Sequence, residues 1–105
     1  MAQSLNEIRM NFKAAMAMAD RLQELAGKMR NLADERCYGT LRNISNSWKG
    51  ENADAYLRKG EKVKEKMSRT ASDLDNAAGT VRTIARNTYA AEMRAWEIAQ
   101  TRSYQ

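Results

Sequence analysis

The chain has 105 residues, 43 % of them hydrophobic and 30 % charged, with a formal net charge of +5. One Cys and no His exclude an intramolecular disulfide, the Cys/His metal sets and a His-based triad, so no metal or cofactor is expected. The length holds one domain at most. No run approaches the roughly 18 apolar residues of a membrane span, and Met1-Ala2-Gln3-Ser4-Leu5-Asn6-Glu7 lacks the basic and apolar blocks of a secretory leader.

The absence of Pro suits long helices, because Pro removes a donor and clashes inside them. A first helix is predicted over about 5–45. Ser4-Leu5-Asn6-Glu7 has the form of a capping box. Ile8, Phe12, Ala15, Ala19, Leu22, Ala26, Met29 and Ala33 follow at spacings alternating 4 and 3, which is a heptad seam. Met18, Leu25 and Leu32 form a second row that widens the stripe, as in globular bundles. After Ala33 the register shifts by one step, and Cys37, Leu41, Ile44 and Trp48 carry the face onward. Gly39 interrupts it only weakly, at a cost of about 1 kcal/mol. Ser45-Asn46-Ser47 ends the helix, since these side chains compete for backbone hydrogen bonds.

A turn is predicted over about 46–51, around Trp48-Lys49-Gly50. Trp48 is read there as a wedge, and Gly50 as a positive-φ or close-approach position. A second helix is predicted over about 52–98, with Asn52 as N-cap and Asp54 in the first turn. Its seam runs through Ala53, Tyr56, Gly60, Val63, Met67, Thr70, Leu74, Ala77, Val81, Ile84, Thr88 and Ala91, with Leu57, Ala71, Ala78 and Ala85 as flanking row. Tyr89, Met93 and Trp96 lie off that seam in this register, where they suggest a contact surface or a patch that a bundle partner covers. Residues 99–105 lack a pattern and are expected to fray.

The expected fold is therefore all-α, an antiparallel two-helix hairpin. Its predicted core is Ile8, Phe12, Leu22, Leu25, Met29, Leu32, Leu41, Ile44, Tyr56, Val63, Met67, Leu74, Val81 and Ile84. Many seam positions are Ala, Gly or Thr, which bury little area at about 25 cal/mol per Å². A lone hairpin then has a thin core, so it is expected to pair with a second hairpin in a four-helix bundle dimer. Cys37 is read as a small, partly buried filler, with an intermolecular disulfide as the minor alternative.

With two heptad helices around a central Trp48-Lys49-Gly50, the chain resembles the WXG family of small helical hairpins exported by bacterial type VII secretion. The resemblance implies a non-enzymatic protein without a small-molecule substrate. It would leave the cytoplasm folded and without a cleavable signal peptide, driven by a membrane-bound ATPase. Its partner would be its own copy or a related hairpin. The resemblance also implies a two-part export signal: the Trp48-x-Gly50 turn of one subunit, and a C-terminal Tyr-x-x-x-Asp/Glu on the other. Tyr89 matches that Tyr, but Met93 stands at the acidic position and the acid falls one place early, at Glu92. Positions i+3 and i+4 share a helix face with i, so Glu92 is the candidate substitute.

The basic stretch from Arg58 to Arg69 raises other readings. A nucleic-acid site is the weaker one, because no aromatics interleave the charges and Glu61 and Glu65 break the patch. A solvated helix face is the plainer one. A third is a match to an acidic partner hairpin, a sibling or the helical N-terminal domain of a larger toxin for which the chain acts as co-exported adaptor.

Overall fold

A computed structural model describes residues 3–103 of the chain. Two long helices fold back on one another as a hairpin. The first is α1 (Leu5–Asn31), running through a π-helical segment (Leu32–Cys37) into α2 (Tyr38–Ser47); the second is α3 (Glu51–Ser103). Among the described residues there is no strand.

Local chemistry sets each boundary. Ser4 starts α1: its hydroxyl accepts from the Glu7 N–H at 3.1 Å, and its carbonyl accepts from Ile8 at 3.1 Å. Gly39 lies inside α2, and the helix stops at Ser47 beside the Ser-Asn-Ser run. There Lys49 Nζ donates to the Ser45 carbonyl at 2.7 Å, a cation meeting the negative end of the dipole. The second helix starts two residues earlier than an N-cap at Asn52 implies. The Gly50 carbonyl already accepts from the Asp54 N–H at 3.0 Å, which makes Glu51 the first helical residue. It also runs past the expected end at 98. Thr101 Oγ1 donates to the Glu97 carbonyl at 3.0 Å in a last turn that continues to Ser103. Tyr104 and Gln105, the rest of the tail expected to fray, lie outside the described residues, as do Met1 and Ala2.

The π-helical segment has a direct cause in the sequence. From Met29 the apolar spacing runs 4, 4, 4 through Ala33, Cys37 and Leu41, one residue more than a 3–4 alternation allows. A single wide turn absorbs the extra residue. Accordingly the Tyr38 N–H reaches back to the Ala33 carbonyl, the i→i−5 bond of a π turn. Ala33 before the turn is buried, and Leu41 and Ile44 beyond it are half-buried.

The helices form two compact units, each with its own core. The end unit pairs the chain up to Leu22 with the chain from Asn76 onward. It buries Ile8, Ala19, Ala78 and Ala85. Phe12 packs on Tyr89 with ring centroids 4.8 Å apart, and Arg82 donates to Asp20 at 2.8 Å. The central unit is Gln23–Asp75. It buries Ala26, Ala33, Ala53 and Ala71. Arg30 bonds Asp75, Leu41 lies against Gly60, and Lys64 sits 4.9 Å over the Tyr38 ring. In both units the fully buried positions are almost all Ala, at intervals of seven: Ala19, Ala26 and Ala33 on the first helix, Ala71, Ala78 and Ala85 on α3. Small side chains let the two backbones approach closely.

Candidate functional site

The turn carries one of the two candidate signal elements. Trp48 has extended backbone (φ −132°, ψ 124°) and its N–H closes on the Ile44 carbonyl at 2.8 Å, so it caps α2. Gly50 has φ +116°, a conformation that side-chain-bearing residues rarely adopt. It reverses the chain in the space of a few bonds. Trp48 is 46 % exposed, and its one ring partner among the described residues is Tyr56, at 6.0 Å between centroids. Trp48 thus keeps one aromatic contact in the turn and leaves nearly half of its surface to solvent.

The C-terminal candidates stand differently from the sequence-based register. The heptad register puts Tyr89 off the seam, whereas its ring packs on Phe12 within the end unit. Met93 and Trp96 are half-buried along the same helix. The reason is a choice between two rows. Helix α3 seats its flanking row, Ala71, Ala78 and Ala85, against the first helix, and turning that row inward carries Tyr89 with it. Tyr89 and Glu92 share one face, and together they line a small apolar groove of about 210 Å³ with Ile8 and Phe12.

The predicted core residues divide into two sets. Ile8 is buried, and Phe12, Leu22, Met29, Leu41, Ile44, Met67, Leu74 and Val81 are half-buried. Leu25, Leu32, Tyr56, Val63 and Ile84 are instead exposed in the hairpin. They are the outer edge of a stripe wider than one neighbouring helix covers. They keep register: Met18, Leu25 and Leu32 recur every seventh residue on the first helix, and so do Tyr56, Val63, Ile84 and Ile98 on α3, where the intervening places hold Thr70, Ala77 and Ala91. In the central unit Leu32, Tyr56 and Val63 border an open groove of about 500 Å³, with Leu41, Ile44 and Met67 along it. Cys37 is half-buried beside that groove with its thiol free. Sequence reasoning missed the pairs Arg30–Asp75 and Arg82–Asp20, whose partners are 45 and 62 residues apart and leave no local signal. The Glu65–Arg69 pair, 3.8 Å apart, has the i,i+4 spacing that a sequence does display.

Among the described residues no helix is long and apolar enough to cross a membrane, and no cluster of Cys, Asp and Glu is arranged to hold a metal ion. What the molecule offers is surface: an indole at the tip of a hairpin and an apolar row along each helix. The family model for WXG100, described as proteins of 100 residues with WXG, matches residues 7–100, a span that covers both helices and the turn. No curated protein and no solved structure matches the chain significantly. Proteins of this family are small helical substrates of type VII secretion that typically form dimers and are not known as enzymes. Two heptad helices, a Trp48-Lys49-Gly50 reversal and a family match over nearly the whole chain place the protein in the WXG100 family.

Proposed function

We propose that the chain is exported folded through a type VII system, paired with a second helical hairpin. In this reading the Trp48-x-Gly50 turn and the Tyr89–Glu92 face of α3 serve as the two parts of the export signal, read by the membrane-bound ATPase. One observation carries the pairing: the hairpin's own core is built of Ala, while Leu25, Leu32, Tyr56, Val63 and Ile84 keep a heptad register on the outside. Helices that present such a row bury it against other helices. The signal reading is supported by Trp48, a large aromatic held about half in solvent at the reversal between the two helices.

Export into the medium, scored against a cytoplasmic marker for lysis, tests it. Trp48→Ala removes a ring that is nearly half in solvent and lies outside the Ala rows, so helicity should stay close to the parent while exported protein falls at least about tenfold. Unchanged export of that variant would remove the turn from the signal. Tyr89→Ala is the poorer probe, because it also strips a ring from Phe12. Glu92→Gln changes charge alone, and its export should fall if the acid one place early serves.

A further inference from the structure

The exposed row of α3 has a charged margin of one sign in the central unit. Tyr56 and Val63 are 55 % and 51 % exposed. The residues one and four places after each of them, Leu57, Gly60, Lys64 and Met67, are half-buried toward the hairpin. Helix-surface neighbours lie three and four residues apart, so the outer margin holds the residues three places after the row, Lys59 and Lys66, and those just before its next members, Lys62 and Arg69. All are exposed. Glu61 and Glu65 fall toward the back of the helix, and the first acid of the margin is Asp73, beyond Thr70. On the first helix the margin is mixed: Lys28 stands beside Leu25, but so does Glu24, and Glu35 follows Leu32. Lys59 and Arg36 also line the central groove.

We infer that this face takes a helical hairpin of opposite margin, one whose apolar row is flanked by Asp or Glu, rather than a second copy of the chain. The inference rests on the paired-export reading and specifies its partner. A second copy offers acid mainly on its first helix, where Glu24 and Glu35 stand beside Lys28, and little of it on α3. The row of its end unit, around Ile84, is bordered by Thr80, Thr83, Asn87 and Arg94, with Glu97 as the lone acid near Ile98. Its central unit would bring Lys59 and Lys66 against their own kind, and the copies carry +5 each. Like charges set together across an interface suppress the wrong partner, and opposite ones fix the register of the right one.

The test uses the full chain and two designed helical hairpins with the same Leu row, one flanked by Glu and one by Lys. The mass of the chain alone is first measured by light scattering, near physiological salt. The inference expects no stable dimer, so the mass stays near 11.9 kDa. It further expects the Glu-flanked hairpin to bind at least about tenfold tighter than its Lys-flanked twin, a preference that shrinks as salt rises from about 50 mM to about 500 mM. In Lys59→Glu/Lys66→Glu, whose exposed positions leave the fold intact by circular dichroism, the preference should reverse. A stable self-dimer of twice the mass would overturn the inference while leaving paired export standing. Equal binding of both hairpins would overturn it too, with the row alone directing association. A folded monomer that binds neither hairpin would overturn both this inference and the pairing on which it rests.

Discussion

At the scale of single residues, three glycines have three separate roles. Gly50 holds φ +116°, so a Cβ there is strained even though no atom stands in its way. Gly50→Ala is expected to cost about 1–2 kcal/mol, which is about 4–8 °C of melting temperature per kcal/mol for a domain of this size. Gly39 sits in ordinary helix with open space around it, and Gly39→Ala should raise stability by up to about 1 kcal/mol. Paired thermal melts check both, and opposite signs are the expected outcome. Gly60 has a third role. A Cβ there would overlap Leu41 Cδ2, so its small size admits that side chain into the central unit. The turn role of Gly50 was legible because Trp-x-Gly interrupts two periodic runs. That of Gly60 was not, because it depends on a residue of the other helix.

At the scale of elements, the heptad spacing located both helices and the turn, since long periodic runs leave few alternatives. It did not decide which edge of a broad stripe faces inward. Helix α3 offers two adjacent rows, and volume chose between them: Ala71, Ala78 and Ala85 admit a closer neighbour than Tyr56, Val63 and Ile84 do. The displacement of Tyr89 onto Phe12 follows from the same choice. The register step after Ala33 was legible as a spacing anomaly, and its physical form is the π turn. A deletion series tests that link. Removing Glu35, exposed within the π segment, restores the 3–4 alternation from Met29 through Ile44. That variant is expected to melt at or above the parent temperature with its helicity kept. Removing Arg21, where the alternation is already regular, throws the downstream seam out of phase and should cost several kcal/mol. If the two deletions proved equally damaging, the π turn would not be a register correction.

At the scale of the whole molecule, an Ala-built interior and an aliphatic exterior invert the usual expectation for substitutions. In an ordinary core, removing methylene groups costs stability and adding them is the milder change. Here both isoleucines of α3 stand outside, Ile84 at 59 % and Ile98 at 53 % exposed, whereas Ala78, six positions before Ile84, is 1 % exposed. Truncating Ile84→Ala forfeits only the buried part of one side chain and gains helix propensity, so the isolated chain should lose less than about 1 kcal/mol. Enlarging Ala78→Leu forces a branched side chain between backbones spaced for a methyl group, at about 1–3 kcal/mol. Urea unfolding of the dilute chain measures both, with midpoint and slope read separately. The contrast should close when a partner is bound, because Ile84 then passes from solvent to interface and its truncation weakens the complex. If Ile84→Ala instead cost the isolated chain as much as a core truncation, about 2–5 kcal/mol, the row would belong to the hairpin's own interior. No face would then remain for a partner to cover.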